Sequence, residues 1–335
     1  MSATEAVAPP RSSASLTQPF SIGDVEIANR VLLAPLAGIG NWFVRLQARR
    51  HGAGLAVSEM VSSHAIHYRN ERTLRELLVV HPEEHPVAIQ LFGSDPEVMR
   101  EAAGEVGRAG ADIIDLNMGC PVKKVRKTGA GAELLAEPDL AVAVARAAVE
   151  GGGRPVSVKL RSGLVSGDRS GVGLAIRLVE EAGVSAIAFH PRSANVGHKG
   201  VPDYALVREL AGRIDVPVIV SGGLSTAAAA RRAYELSGAD AVMIARGSFG
   251  YPWIFEELTG ARREPPPRRE VAAELLWVMD RAEEHFGAAR AARYLRKFYP
   301  WYLERLDLGG GAADELQRLD DLDRARSVVA AAGEI

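Results

Sequence analysis

Eight short apolar runs, separated by stretches of helical periodicity, constrain the fold of this chain more than any other feature of its sequence. The runs are rich in Val, Ile and Ala, and most are continuously apolar instead of alternating in polarity. They lie at 31–35, 55–58, 87–91, 113–116, 156–160, 186–189, 216–220 and 241–244. Strands of this kind are buried on both faces, as in parallel sheets covered by helices. We therefore predict an α/β fold, a (β/α)8 TIM barrel of about 250 residues.

An open, doubly wound sheet is the alternative arrangement for alternating strands and helices. That fold normally has a glycine fingerprint directly after its first strand. Here the first run ends in Ala34-Pro-Leu-Ala-Gly38, which does not match that fingerprint. The closed barrel is therefore the favoured architecture.

The 335 residues are enough for one large domain with an appendage. Residues 1–18 are rich in Ser, Ala and Pro, which predicts a flexible N-terminal tail. The barrel is expected over residues 19–260. The segment Arg262-Arg-Glu-Pro-Pro-Pro267 then indicates a stiff linker. Residues 261–335 show helical periodicity without strand signals, and predict a C-terminal all-helical domain.

Composition narrows the class of protein. A net charge of -2 gives no global attraction to nucleic acid, so such binding would need local patches. The single cysteine excludes an intrachain disulfide and a multi-cysteine zinc site. No apolar stretch approaches the length of a membrane span, and the N-terminus lacks a signal pattern. We expect a soluble cytoplasmic protein without metal or membrane partner; the oligomeric state is left open, with a monomer as the default expectation.

The stretch Asp112-Ile-Ile-Asp-Leu-Asn-Met-Gly-Cys-Pro121 predicts a strand that delivers Asn117 and the only cysteine, Cys120, into a loop. That loop contains four cations and no acid before Glu133; the cations are Lys123, Lys124, Arg126 and Lys127. A thiol beside an amide, followed by a basic loop, suggests a proton donor next to an anionic substrate. A buried structural cysteine is the alternative, because Cys is among the most buried residue types.

Active-site residues of barrels lie at the C-terminal ends of the strands. The candidates collected there include Gln90, Asn117, Cys120, Lys159, Arg161, His190 and Arg192. Lys159 follows Val-Ser-Val, where a lysine costs desolvation unless it has a partner, so a functional role is favoured. His190 is equally consistent with a core histidine, and Gln90 with a tie between loops. The segments Ser221-Gly222-Gly223 and Ala245-Arg246 predict a phosphate site built from backbone N–H groups.

Several motifs together, in this order along the chain, resemble those of bacterial tRNA-dihydrouridine synthases, most closely the B-type branch. They are Leu33-Ala-Pro-Leu-Ala-Gly38, Ile89-Gln-Leu-Phe-Gly-Ser94, Asp115-Leu-Asn-Met-Gly-Cys-Pro121, Lys123-Lys-Val-Arg-Lys-Thr-Gly-Ala-Gly131, Val158-Lys-Leu-Arg-Ser-Gly163, Gly238-Ala-Asp-Ala-Val-Met-Ile-Ala-Arg246 and Pro252-Trp-Ile-Phe255. The resemblance covers residues 20 to about 305. Its most specific part is the Asn-Met-Gly-Cys-Pro segment with its basic loop.

The resemblance implies an FMN enzyme that reduces the C5–C6 bond of selected uridines in tRNA with NADPH. Matched by position, Pro35, Leu36 and Ala37 would lie along the flavin, and Gln90 and Lys159 would hydrogen-bond its ring. Its phosphate would be held by Ser221, Gly222, Gly223, Ala245 and Arg246. Asn117 would contact the uracil, and His190 and Arg192 would line the flavin or the substrate.

The same resemblance makes Cys120 the proton donor. A hydride from flavin N5 to uracil C6 leaves an enolate that needs a proton at C5, and a thiol remains protonated at neutral pH. Lys159 would stabilise the anionic reduced flavin. The cations at 123–127 would grip the tRNA backbone while a base is swung out of the stack.

The C-terminal segment is also similar to a part of that family, its tRNA-binding domain. Arg290, Arg293 and Lys297 fall on one helical face with Arg296 beside them, and aromatic residues lie between them. The pairs Arg296-Lys297 and Trp301-Tyr302 match the family's pairs. The alternative is a solvated basic helix face with its aromatic residues packed inward, and we expect the aromatics to be mostly core.

Three positions depart from the family pattern. Ser221-Gly-Gly223 stands where Asn-Gly-Asp is usual, His190-Pro-Arg192 where His-Gly-Arg is usual, and Leu36 where Met is common. Two other functions remain as alternatives. One is an FMN barrel acting on a small molecule, similar to dihydroorotate dehydrogenases, against which the basic loop and the helical segment argue. The other is a non-catalytic RNA-binding protein, against which Cys120, Lys159 and Gln90 argue.

Overall fold

A computed structural model describes residues 14–306 and 310–334 of the chain. The chain divides after Ala245 into two compact units, residues 1–245 and 246–335. Most of the predicted tail, residues 1–13, lies outside the described residues. Its described end forms a turn in which Leu16 is buried and accepts a backbone hydrogen bond from Arg30 (2.9 Å).

The first unit alternates strands with helices. Its strands are β1 (Phe20–Ile22), β2 (Val25–Ile27), β3 (Val31–Leu33), β4 (Leu55–Val57), β5 (Val61–Ser62), β6 (Val87–Phe92), β7 (Ile113–Met118), β8 (Val156–Arg161), β9 (Ala186–His190), β10 (Val218–Ser221) and β11 (Ala241–Ile244). Its helices are α1 (Trp42–Arg50), α2 (Ser63–His67), α3 (Pro96–Arg108), α4 (Lys123–Arg126), α5 (Pro138–Gly152), α6 (Ser170–Ala182), α7 (Tyr204–Ala211) and α8 (Ala227–Ser237).

Eight parallel strands of the described chain close into a barrel. The order runs β3, β4, β6, β7, β8, β9, β10, β11 and returns to β3. The closing pair sets Val31 opposite Val242, and the short β5 pairs only with the end of β6. The predicted TIM barrel is confirmed, and all eight strands lie within the predicted apolar runs or extend them by one or two residues.

The barrel interior changes from apolar to polar along several strands, among them β6, β7 and β9. Side chains at alternate positions of a strand face the same side, so every second residue points inward. Ile22 and Ile27 of the β1–β2 hairpin join the inward residues Ala88, Ile113 and Ala186 in one buried apolar cluster. Further along the same strands the inward positions are polar. The C-terminal ends of the barrel strands, here called the mouth, therefore hold many of the polar side chains of the interior.

Local signals in the sequence explain why the helices begin where they do. Pro96 occupies the first turn of α3, and the Asp95 side chain accepts hydrogen bonds from the backbone N–H groups of Glu97 (3.0 Å) and Val98 (3.2 Å). Such capping satisfies donors that have no partner inside the helix.

The long connection between β4 and β6 is fixed by a buried ion pair. Arg45 of α1 is 1% exposed and Glu84 is 0% exposed. Arg45 donates to Glu84 through Nε (2.7 Å) and Nη2 (2.9 Å), and also to the Val79 carbonyl oxygen (2.6 Å). Every polar group of this pair has a partner, as a buried charge requires.

The second unit contains helices and no strand among its described residues. Its helices are α9 (Ile254–Thr259), α10 (Arg268–Phe286), α11 (Ala288–Leu295), α12 (Tyr299–Leu306), α13 (Gly310–Arg318) and α14 (Leu322–Glu334). Phe298, Tyr299 and Tyr302 are at most 3% exposed, so these aromatic residues form core, as expected. Among the described residues no helix is both long and apolar enough to span a membrane.

Candidate active site

A row of polar side chains crosses three neighbouring strands just below the mouth. The strand register sets Gln90 of β6 opposite Asp115 of β7, and Asp115 opposite Ser157 of β8. Asp115 accepts hydrogen bonds from Gln90 Nε2 (2.6 Å) and from Ser157 Oγ (2.6 Å). Burial raises the pKa of Asp115 to about 6, although the two hydrogen bonds and the nearby Lys159 lower it. Hydrogen-bond donors on both neighbouring strands thus stabilise the buried carboxylate of Asp115.

Asn117 connects this row to the cysteine. Its Nδ2 donates to Gln90 Oε1 (2.9 Å), and its Oδ1 accepts from the backbone N–H groups of Gly119 (3.2 Å) and Cys120 (2.9 Å). Cys120 is half-buried. On its other side its carbonyl oxygen accepts from the Ala132 N–H (3.0 Å). The backbone on both sides of the thiol is therefore fixed by hydrogen bonds.

Gly131 is required by this packing. It has a φ of +65°, and a Cβ built on it would lie 2.8 Å from the Cys120 carbonyl oxygen and 3.3 Å from the Cys120 Cβ. A side chain here would strain the backbone and push the cysteine away. The glycine in the predicted basic loop thus allows the loop to close over Cys120.

Three cations and one neutral histidine surround the mouth. Lys159 is half-buried, and its pKa falls to about 8, first through burial and then through Arg161, while Asp115 and Cys120 raise it. Arg161 is 4% exposed, and burial lowers its pKa to about 10, while the nearby Cys120 raises it. Cys120 therefore lies within electrostatic reach of both cations.

Arg161 and Arg192 both donate hydrogen bonds to backbone carbonyl oxygens. Arg161 donates to the carbonyl oxygens of Gly119 (2.9 Å) and Gly197 (2.8 Å), and Arg192 donates to that of Gly200 (2.6 Å). Their positive charges are thus not cancelled by these partners. Within the described residues, Asp115 is the one acid near enough to act on Lys159. The mouth has an excess of positive charge, which favours an anionic ligand.

His190 is neutral in this setting. Burial first, and then Lys159, Arg161 and Arg192, lower its pKa far below the usual value. Arg192 Nη1 donates to its Nε2 (3.3 Å), which the neutral ring can accept. The ring also stacks on that of His198, with centroids 6.1 Å apart. The sequence left His190 undecided between core and site; it is buried, but it lies among the site's cations.

The glycine turn after β10 has a shape that only glycine permits. Gly222 and Gly223 have φ values of +94° and +83°. A Cβ on Gly222 would lie 2.4 Å from the His190 ring, and one on Gly223 would lie 2.8 Å from the Tyr204 hydroxyl. The Tyr204 hydroxyl donates to the Gly222 carbonyl oxygen (3.0 Å). Ser221, where the family usually has Asn, accepts from Lys159 Nζ (3.3 Å).

The remaining predicted flavin contacts lie at the ends of the first and last barrel strands. Pro35 is half-buried and Ala37 is exposed. Leu36 is 6% exposed, and its carbonyl oxygen accepts a hydrogen bond from the Gly40 N–H (2.7 Å). Ala245 follows β11 and is half-buried. Arg246 is exposed and begins the second unit in a single 3₁₀ turn, Arg246–Ser248. The contacts of these residues with a flavin stay predictions.

The basic loop forms a short helix, α4, whose cations differ in their surroundings. Lys123, Lys124 and Lys127 are exposed. Arg126 instead donates through Nε to Glu133 (2.8 Å), so its charge is neutralised. The loop therefore offers three lysines to solvent, one cation fewer than the sequence suggested.

The predicted RNA-binding cations of the second unit also differ among themselves. Arg293 and Lys297 are exposed, and Lys297 Nζ lies 4.5 Å from the centroid of the Tyr294 ring. The Arg290 guanidinium lies 4.5 Å from the centroid of Phe286. Arg296 is half-buried and pairs with Asp320 (2.8 Å). Their binding to RNA stays a prediction, and Arg296 is already paired with an acid of its own unit.

Sequence reasoning did not assign a role to three residues that build this site. Asp115 was read only as part of a motif, Arg161 only as a strand end, and Tyr204 not at all. A carboxylate inside an apolar run was an available signal for Asp115, because such a group must find partners when buried. The described residues contain no cluster of three or more metal-ligating acid, His or Cys side chains.

Comparison with known proteins identifies the family. The family model described as dihydrouridine synthase (Dus) matches residues 32–330. The chain is 36% identical over 307 residues to tRNA-dihydrouridine synthase B of Pseudomonas aeruginosa, covering 90% of this chain and 92% of that protein. It is 34% identical over 293 residues to the protein of the same name from Shewanella oneidensis, and the match covers 86% of this chain and 90% of that protein.

Solved structures of similar shape support the barrel. Morphinone reductase aligns with a TM-score of 0.52 at 18% identity, covering 78% of this chain and 93% of that one. The old yellow enzyme homologue of Zymomonas mobilis aligns with a TM-score of 0.53 at 15% identity, covering 77% of this chain and 96% of that one. At such identities the likeness concerns the fold. The match over most of its length shows that the chain belongs to the dihydrouridine synthase family.

Proposed function

We propose that this protein is a tRNA-dihydrouridine synthase that uses FMN and NADPH to reduce the C5–C6 bond of uridines in tRNA. The observation that supports it best is the surroundings of the single thiol. The Cys120 backbone is held on both sides, and its side chain lies within electrostatic reach of Lys159 and Arg161. The names of the relatives support tRNA as the substrate. Such a substrate assigns the activity to the cytoplasm.

The residues of the mouth fit a flavin mononucleotide. The backbone of Gly222 and Gly223 forms a turn in which a Cβ would collide with His190 or Tyr204, and such turns can approach a phosphate closely. The excess of positive charge from Lys159, Arg161 and Arg192 suits an anionic group. When bound, the reduced flavin supplies the hydride for C6 of the uracil.

The chain's own residues then have distinct tasks. Lys159, linked to Ser221, supplies positive charge where negative charge develops on the flavin. Cys120 donates its thiol proton to C5 of the uracil, on which the hydride transfer has left an enolate. Neutral His190 and cationic Arg192 line the same mouth. The exposed lysines of α4 attract the tRNA phosphates.

The deciding experiment separates the two halves of the reaction. Under anaerobic conditions NADPH should bleach the flavin absorbance of native protein, and tRNA lacking dihydrouridine should restore it. Cys120→Ala should keep the bleaching step, because the thiol takes no part in it. The rate of recovery with tRNA should fall about 10²-fold or more, as expected when a general acid is removed.

Two results would contradict this proposal. If native protein were reoxidised by a free pyrimidine but not by tRNA, the substrate would be a small molecule. If Cys120→Ala recovered as fast as native protein, Cys120 would not be the proton donor. Dihydrouridine analysis of tRNA from a strain lacking the gene then identifies the position that is modified.

A further inference from the structure

Asp115 has no role in the proposed chemistry, yet it is a costly residue to bury. It is 1% exposed, and its direct partners are the neutral side chains of Gln90 and Ser157. An isolated charge in such a place destabilises a fold unless it is well hydrogen-bonded. Its side chain is surrounded by Gln90 on one neighbouring strand and Ser157 on the other, below the mouth. Apart from its charge, which raises the pKa of Lys159, its contacts with the site therefore pass through these neighbours.

An ionised carboxylate accepts hydrogen bonds but donates none. Asp115 thereby fixes the orientation of the Gln90 amide, whose Nε2 must point toward the carboxylate (2.6 Å). The Oε1 of Gln90 then points the other way and can only accept, which it does from Asn117 Nδ2 (2.9 Å). Gln90 is 0% exposed, so water does not compete for these bonds.

The same logic applies to the next amide. Because Asn117 Nδ2 points to Gln90, its Oδ1 faces the loop and accepts from the Cys120 N–H (2.9 Å) and the Gly119 N–H (3.2 Å). If Gln90 were reversed, Asn117 would have to reverse too. Its Nδ2 would then face the Cys120 N–H, and two donors would oppose each other. The direction of all these bonds is consistent only when an acceptor stands at position 115.

We propose that Asp115 is a positioning residue for the Cys120 thiol, and that it acts through a relay of Gln90, Asn117 and the Cys120 backbone amide. This proposal rests on the proposed function, in which Cys120 is the proton donor. The strand register makes the relay possible. Asp115 and Asn117 are two residues apart on one face of β7, and Gln90 is directly opposite Asp115 on β6.

Hydrogen exchange of the Gly119 and Cys120 amides tests the relay directly, in full-length protein with and without bound flavin. Asp115→Ala should speed exchange of these amides about fivefold or more, the equivalent of one lost hydrogen bond. The amides of β10, at Val218–Ser221, should keep their native exchange rate. A general loss of stability would instead speed exchange in both places.

Two matched variants separate the relay from other effects of the carboxylate. Ser157→Ala removes the other hydrogen bond of Asp115 (2.6 Å) but leaves the Gln90 branch intact, so exchange at Gly119 and Cys120 should stay native. Asp115→Asn can still offer an oxygen to Gln90 while its amide N–H faces Ser157. It should restore most of the protection that Asp115→Ala loses.

A kinetic measurement provides a readout that a purely structural role would not change. In Asp115→Ala, recovery with tRNA should slow at least fivefold more than bleaching of the flavin by NADPH does, because only the second step uses Cys120. If Asp115→Ala does not fold, Gln90→Met interrupts the same relay one step later. Its exchange at Gly119 and Cys120 should rise in the same way.

Three outcomes would overturn the relay. One is native exchange at Gly119 and Cys120 in a folded Asp115→Ala protein, or in Gln90→Met if Asp115→Ala does not fold. Another is equal acceleration by Ser157→Ala, and the third is exchange in Asp115→Asn as fast as in Asp115→Ala. None of these depends on the substrate. If native protein failed to react with tRNA, the proposed function would fall while the exchange data would still decide whether the relay exists.

Discussion

At the scale of single residues, we expect the chemistry of this protein to depend on how many positive charges the mouth carries. Lys159 is the cation most sensitive to pH. Burial, followed by the neighbouring Arg161, lowers its pKa from 10.5 to about 8. A lysine with a lowered pKa loses its proton as the pH rises through that value, so the charge is present at pH 7 and mostly lost at pH 9.

This shift predicts a pH-dependent affinity for the cofactor. The dissociation constant for FMN, measured by quenching of flavin fluorescence on apoprotein, should increase as the pH rises from 7 to 9. Lys159→Met should bind about tenfold more weakly at pH 7, since a charged hydrogen bond is lost, and should vary little with pH. The exposed Lys127→Met is the matched control and should show the native profile. If the dissociation constant for FMN varied with pH equally in native protein and in Lys159→Met, the assignment of Lys159 to the cofactor site would be contradicted.

At the scale of elements, short loops fix the geometry of the site. The glycine turn after β10 is held by one hydroxyl, because the Tyr204 Oη donates to the Gly222 carbonyl oxygen (3.0 Å). Tyr204→Phe should weaken FMN binding about fivefold by removing that bond. Tyr234 of α8 makes a bond of the same length to the Ala14 carbonyl oxygen. Tyr234→Phe should therefore leave FMN affinity unchanged, and equal effects of the two variants would refute the role of Tyr204.

The basic loop makes a second prediction at this scale, about the salt dependence of tRNA binding. Each exposed lysine that contacts a phosphate adds about one unit to the slope of log K against log salt concentration. Lys124→Ala and Lys127→Ala should each reduce that slope, measured by anisotropy of labelled tRNA. Arg126→Ala should reduce it less, because Glu133 already neutralises Arg126 (2.8 Å). A larger effect of Arg126 than of the lysines would mean that the Glu133 pair opens on binding.

At the scale of the whole barrel unit, stability depends on the connection between β4 and β6. Glu84 is fully buried against Arg45, and removing one partner leaves the other charge without compensation. Glu84→Ala should lower the free energy of unfolding in urea by about 3–5 kcal/mol. Arg108, in an exposed pair with Glu105 (3.0 Å), is the control. Arg108→Ala should cost less than about 1 kcal/mol, and similar losses for both would contradict the assignment of Glu84.

The sequence predicted the barrel well because its signal is repeated in every strand. Runs such as Val87–Ile89 and Ala241–Ile244 are apolar over several residues, and a strand formed at each predicted run. The two-residue β5 and the short α2 were missed, since neither is long enough to show a period. Cys120 and Lys159 were predicted to lie at the mouth, because the C-terminal ends of the barrel strands meet there.

The partners of these residues could not be read from the sequence. Asp115 bonds to Gln90 and Ser157, which are 25 and 42 residues away. Only the strand register brings them together, and register is a property of the closed sheet. The pairing of Arg126 with Glu133 was missed for a related reason. The backbone path of a loop decides which of its charged side chains form pairs, and that path cannot be read from composition.

The joining of β3 to β11 has a consequence for the timing of synthesis. Val31 and Val242 are partners in the ring, although almost the whole first unit separates them along the chain. While the polypeptide is emerging from a ribosome, the ring must remain open until its last strand is free to insert. Pro35 and Ala245, which follow these two strands, can come together only then. An incomplete nascent chain would therefore have its thiol but no finished pocket around it, and reduction would begin only after nearly all of that unit had been translated.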